Sequence, residues 1–281
     1  MNAKMFLAIW FTILFICPQV TQADGNISVS VRRGNLRING SRANDQWVMI
    51  TPTTVPNRYM LAVNVGTTLN GVNPLFVDGV TGDIDIRMTS LNSKVIVSDG
   101  DFMWITVNGN LNITTSSRDS SAIFLDTVIC NENISISTGN GPNTVIASNC
   151  ASQGNFDARL GGSSDLFYAI QCRGFSFSVN GGSGDDFLYL GECRAEMDIE
   201  MRGGSGNDLF GLEFPYLNPT ELDGGSGNDQ YLSPSGLPNL ETRRMEGEFP
   251  GAVDDWITLA LFSNETFFPN FILWDILRLS R

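Results

Sequence analysis

The chain has 281 residues, with 17 basic and 30 acidic side chains, a formal net charge of −13 and no histidine. A surface of that sign repels nucleic acid and anionic membranes and attracts cations. The missing histidine excludes His-dependent triads, histidine general bases and histidine-containing zinc sites.

At the start, Lys4 precedes an apolar run over residues 5–16, and Thr21-Gln22-Ala23 sets small residues where signal peptidase reads. The pattern predicts a signal peptide over 1–23, cleavage after Ala23 and a product that is secreted or held at the cell surface. The run is too short to span a bilayer comfortably, and Cys17 lacks the small residues expected before a lipid-modified cysteine. No membrane span is expected in the mature chain.

Residues 24–138 read as degenerate coils of a β-solenoid. The segments NLRI (35–38), DIDI (83–86), KVIV (94–97), FMWITV (102–107), LNIT (111–114) and AIFL (122–125) alternate in strand fashion between Gly, Asn, Asp and Ser. Asn44-Asp45-Gln46-Trp47 echoes Asn228-Asp229-Gln230-Tyr231, either as a decayed loop or by coincidence. Sequons at Asn26, Asn39, Asn112, Asn133 and Asn264 matter only in a eukaryote, and the style of the chain is bacterial.

Residues 139–233 carry the strongest signal. Gly-Gly-Ser-Gly-(Asp/Asn)-Asp stands at 181–186, 203–208 and 224–229. Its closing aspartates, Asp186, Asp208 and Asp229, are spaced 22 and 21 residues apart, and a fixed period of that size marks a solenoid. Extended backward, the frame takes in Asn143 and Asp165, the latter in GGSSDLFY (161–168), read as a loop one residue short. Two residues after these anchors stand Val145, Phe167, Leu188, Phe210 and Tyr231. Nine before them stand Ile134, Phe156, Phe177, Ile199 and Thr220, and seven before them Ile136, Ala158, Val179, Met201 and Leu222. These columns predict two short alternating strands per coil with their apolar sides inward. The fold expected is all-β, a parallel β-solenoid of the β-helix or β-roll kind, with coils of about 21–22 residues.

Cys150, Cys172 and Cys193 each sit seven residues after their anchor, with Pro215 in that place next and Cys130 fitted one coil earlier. Stacked coils bring matching residues to about 4.8 Å, within disulfide range. Two readings follow: a reduced ladder in the core, or two bridges between neighbouring coils.

Charge is uneven. Residues 24–138 hold 8 basic and 10 acidic side chains and residues 139–281 hold 8 and 20, so the excess lies on the repeat half. Calcium takes six to eight oxygens at roughly 2.3–2.6 Å in a tolerant geometry. A glycine turn curls so that carbonyls converge, and a closing aspartate adds the charge. An ion held between two loops would make metal binding and coil docking one event.

Residues 181–189, 203–211 and 224–232 match GGxGxDxUx in full, and in this they resemble the RTX, hemolysin-type calcium-binding repeats. The resemblance implies ligands from Gly181, Ser183, Asp185 and Asp186 in the first loop, Gly203, Ser205, Asn207 and Asp208 in the second, and Gly224, Ser226, Asn228 and Asp229 in the third, with Asp165 as a further, weaker contributor. The family's coil carries two such nonapeptides in 18 residues, whereas this chain has one per 21–22, which implies calcium-binding turns along one edge only. Family members commonly leave the cell on an uncleaved C-terminal signal, whereas the signal expected in this chain is N-terminal.

Residues 234–281 read as a C-terminal cap, because Asn264, Glu265, Pro269 and Asp275 interrupt the apolar stretch 256–277. The function expected is a calcium-stabilised structural, adhesion or binding module without catalysis, whose partners are calcium and an extracellular polysaccharide or cell-surface component. The alternatives are a polysaccharide-processing β-helix enzyme (lyase, epimerase or hydrolase), with Arg173, Arg194 and Arg202 beside Tyr168 or Tyr189, and a calcium-dependent carbohydrate-binding module using Phe175 or Tyr216. Arg173 and Arg194 read equally well as ion-pair partners of Glu192 and Glu196.

Overall fold

The computed structural model describes residues 25–42, 45–98, 104–115, 120–213, 219–232 and 240–248. The span expected to be a signal peptide, Asn44, Pro215, Tyr216 and most of the span expected to be a C-terminal cap lie outside the described residues.

The expected parallel β-solenoid is the fold. Strands from successive coils stack in register into two eleven-stranded sheets, and a five-stranded sheet lines a third side. Among the described residues there is no helix, and none long and apolar enough to cross a membrane. One coil shows the pattern. Phe177–Ser183 joins the first sheet, the Gly-Ser-Gly turn carries the chain round to Phe187–Gly191 in the second, and Arg194–Ala195 forms a rung of the third. Among the described residues five successive coils, those starting at Ile84, Leu111, Ile134, Phe156 and Phe177, therefore have three strands where alternation predicted two. The third is only two or three residues long, as in Val128–Cys130 and Ala151–Ser152, too short to show a period.

Inward columns hold the coils together. Ile134, Phe156, Phe177, Ile199 and Thr220 stand in register, as do Ile136, Ala158, Val179, Met201 and Leu222, and all are buried. Val145, Phe167, Leu188 and Phe210 form the facing column of the second sheet. Phe156 stacks on Phe177 with ring centroids 5.2 Å apart and meets Phe167 edge-on at 6.2 Å. Each such ring contributes about 1.5–3 kcal/mol of burial.

The N-terminal coils depart from this plan. Gly25–Arg32 pairs antiparallel with Asn35–Asn39, and Trp47–Pro52 with Tyr59–Val63, so hairpins close that end of the stack. The strands left at the edges, Thr67–Leu69 and Leu75–Val77, have three residues each, a length that offers little template for pairing with another chain. At the other end, Leu240–Arg243 and Gly247–Glu248 add a further rung to both long sheets, so the solenoid runs into the span expected to be a cap.

Three register assignments differ from the sequence reading. Gly161 pairs with Gly182 and Leu166 with Phe187, so the Asp165 loop is full length and Leu160 takes the place of its first glycine. Ile129 pairs with Ala151, which puts Val128 in line with Cys150 and moves Cys130 two positions on, level with Ser152. Trp47 pairs with Lys94, so Gln46 rather than Asp45 falls in the anchor column.

Candidate metal centre

The anchor residues form one buried polar column just ahead of the second sheet. It runs Gln46, Ser93, Ser121, Asn143, Asp165, Asp186, Asp208, Asp229, and the register carries it on to Glu246. From Gln46 to Asp229 every member is at most 4% exposed.

Each acidic member caps the coil before it. The Asn143, Asp165, Asp186 and Asp208 N–H groups donate to Oδ1 of Asp165, Asp186, Asp208 and Asp229 at 2.7, 2.8, 2.9 and 2.8 Å. The Asp229 N–H donates in the same way to Glu246. One oxygen per carboxylate is thereby used. The other is not: Oδ2 of Asp165, Asp186, Asp208 and Asp229 is buried with no hydrogen-bond partner.

Asn143 identifies what belongs beside those oxygens. Its amide nitrogen, where an aspartate carries Oδ2, lies within hydrogen-bond distance of the Gly139 carbonyl (3.1 Å), the Gly141 carbonyl, the Leu160 carbonyl (3.1 Å) and Asp165 Oδ1 (3.0 Å), and shares its two hydrogens among them. A donor sits within four oxygens. One register step along at a time, the corresponding positions around Asp186 Oδ2 are the carbonyls of Gly182, Gly184 and Gly203 and Oδ1 of Asp208. There an oxygen replaces the donor, and acceptor faces acceptors.

Two glycines of the motif make this approach possible. A Cβ on Gly181, Gly203 or Gly224 would stand 2.2, 2.1 or 2.5 Å from Oδ2 of Asp186, Asp208 or Asp229. The next glycines, Gly182, Gly204 and Gly225, have φ of +111°, +116° and +98°, and a Cβ there would fall 2.0 Å from the carbonyl oxygen of the coil before. The first position is set by the space the carboxylate fills, the second by left-handed backbone and close carbonyl approach.

Burial raises the carboxyl of Asp165 to about 9, Asp186 to about 8 and Asp208 to about 7; the donated N–H opposes the rise and the next acidic group adds to it. Asp229 is raised too, chiefly by burial. An unpaired buried carboxylate is costly, so such a group takes up a proton or a cation.

The remaining residues expected as ligands lie on the rim. Ser183, Ser205 and Ser226 are in register and exposed, as are the side chains of Asp185, Asn207 and Asn228. The first two cap the neighbouring loop: the Asn207 N–H donates to Asp185 Oδ1 (2.7 Å) and the Asn228 N–H to Asn207 Oδ1 (3.0 Å). Among the described residues no three acidic, cysteine or histidine side chains gather round one point. A cation on this column would therefore draw most of its ligands from carbonyls, with the carboxylates supplying charge, and the donor set is the all-oxygen kind that suits calcium.

Glu246 escaped the sequence reading because it follows Asp229 by 17 residues rather than 21–22. Tyr189, one candidate for catalysis, is 1% exposed, stacks on Tyr168 at 4.7 Å and donates its hydroxyl to Glu213. Glu192 accepts from Gln171 at 2.8 Å. Phe175 is 42% exposed. Compared with protein-family models, curated proteins and solved structures, the chain matches none.

Proposed function

We propose that this chain is a secreted calcium-binding β-solenoid, a structural or adhesion module whose acidic coils are locked together by calcium. The carrying observation is the change along one column: an amide donor fills the four-oxygen surround at Asn143, while Asp165, Asp186, Asp208 and Asp229 each leave Oδ2 buried and unpaired. Calcium would take the place of that donor. Asp186, Asp208 and Asp229, with carbonyls of the loops at 181–186, 203–208 and 224–229, would hold the ions, and Asp165 would hold one less strongly. The resemblance of these loops to RTX repeats agrees with this chemistry. Where calcium is scarce the carboxyls would be neutralised by protons and the coils held less firmly; at the roughly 10⁻⁴–10⁻³ M range of extracellular calcium modules, ion binding and coil docking would be one transition.

The test is the calcium affinity of two variants measured by calorimetry. Asp208 lies between two acidic neighbours and Asp165 between Asn143 and Asp186. Asp208→Ala is expected to weaken binding more than Asp165→Ala. Equal losses would contradict binding between stacked loops.

A further inference from the structure

The core of the solenoid holds three consecutive cysteines in one column. Ala151 pairs with Arg173 and Arg173 with Arg194, which sets Cys150, Cys172 and Cys193 side by side on adjacent coils. The backbone links agree: the Arg173 N–H donates to the Cys150 carbonyl at 2.8 Å and the Arg194 N–H to the Cys172 carbonyl at 2.9 Å. All three side chains are at most 1% exposed, and all three are free thiols. Cys172 donates weakly to the Ala147 carbonyl and Cys193 to the Ala169 carbonyl, at 3.6 and 3.5 Å, so the thiols follow one another along the same inner corner.

Cys130 does not belong to this set. It is level with Ser152, two residues past Val128, and its thiol is turned to the carbonyls of Gly109 (2.9 Å) and Asn133 (3.2 Å).

We infer that Cys150, Cys172 and Cys193 form a redox site that accepts one disulfide, always through Cys172. Neighbouring rungs of a parallel sheet lie about 4.8 Å apart, inside the Cα range of a disulfide, whereas two rungs apart is about 9.6 Å, beyond it. Cys150 and Cys193 cannot pair across Cys172. Two bridges, one of the sequence readings, would require Cys130, which the register removes.

Formation is an exchange with a dissolved disulfide such as oxidised glutathione. One cysteine thiolate attacks it, forming a mixed disulfide and releasing one glutathione thiolate. The adjacent cysteine thiolate then displaces the second, so the two cysteines lose two electrons and the glutathione disulfide gains them. With a 150–172 bridge in place, attack of the Cys193 thiolate on the Cys172 sulfur would give the 172–193 bridge and free Cys150, without net oxidation. Burial raises the Cys150 and Cys172 thiols well above their ordinary range, and closed coils shield them, so pairing belongs to the stage at which neighbouring coils have come into register but have not yet closed over the thiols. The folded stack then holds whichever bridge formed. These coils begin at Asn143, Asp165 and Asp186, so the staple ties the boundary between the neutral and acidic lengths of the column.

The test is refolding of the full chain, carrying Cys17→Ser, from the reduced denatured state in reduced and oxidised glutathione, followed by alkylation and peptide mapping. One disulfide per chain is expected, shared between the 150–172 and 172–193 pairs, with Cys130 alkylated throughout. Cys150→Ser should leave only the 172–193 bridge, Cys193→Ser only the 150–172 bridge, and Cys172→Ser none. A bridge that includes Cys130, a 150–193 bridge in Cys172→Ser, or no bridge at any glutathione ratio in the chain and in the Cys150→Ser and Cys193→Ser variants would overturn the assignment.

Discussion

Two lengths of the same column solve one packing problem in opposite ways. From Gln46 to Asn143 the members are neutral and find hydrogen-bond partners within the chain. The Gln46 amide bonds Ser41, Ser93 bonds Ser90, the Thr115 hydroxyl donates to Ser121, and Ser121 donates to Asn143 Oδ1. From Asp165 to Asp229 the backbone and register are the same, yet each coil leaves one buried oxygen unpaired. The neutral length has its polar groups paired within the chain, the last of them to Asp165, whereas the acidic length requires a proton or a cation. The difference lies in one side-chain atom, nitrogen at Asn143 and oxygen at Asp165.

The comparison can be broken most severely at the glycines. Gly204→Ala forces a Cβ to 2.0 Å from the Gly182 carbonyl at φ +116° and is expected to cost roughly 3–5 kcal/mol in urea unfolding. Asn143→Asp should turn the last neutral coil acidic. It removes the donor from four oxygens and is expected to lower stability by about 1–3 kcal/mol at pH 8 without calcium, a loss that added calcium reduces.

The reverse exchange, Asp186→Asn with Asp208→Asn, should stabilise the calcium-free protein at pH 9 and weaken its response to calcium. The pH profile follows the same logic. Asp165, Asp186 and Asp208 titrate in the fold at about 9, 8 and 7, all above the ordinary value of 3.8. The folded state therefore keeps protons that the unfolded chain has released. Their stabilisation is full below about pH 4, declines from there as pH rises, and is gone once pH has passed about 7 to 9. Melting temperature without calcium should fall across that window, and saturating calcium should flatten the curve. The smallest effect belongs to the neutral length: Ser121→Ala removes hydrogen bonds to Thr115 and Asn143 and should cost about 1 kcal/mol at every pH.

Much of this was legible in the sequence where a residue type repeats at a fixed interval. The inward columns from Ile134 and Ile136 onward, the aspartates of the motif and the parallel stacking all follow from the 21–22-residue spacing. Gln46, Ser93 and Ser121 share no chemistry with aspartate beyond a polar group, so their place in the column emerges only from strand register. Leu160 hid the full length of its loop because a leucine stands where the other coils need the first glycine. A corner ladder of Asn35, Asp83, Asn110, Asn133 and Asn155 was likewise unseen, since its steps are irregular: Asn35 and Asn110 bond Asp83, and Asn133 bonds both Asn110 and the Asn155 N–H. Asn133, one of the sequons, is occupied there.

The most direct measurement is a calcium titration of the purified chain by calorimetry in buffers of different ionisation enthalpy, with circular dichroism alongside and magnesium as control. The account predicts saturable binding of roughly two to three calcium ions, a gain of β signal, and proton release that diminishes as pH rises from 7 to 9. No binding up to about 10 mM calcium, above the range of extracellular modules, with β structure already complete at pH 9, would contradict it and leave the unpaired oxygens to protons alone.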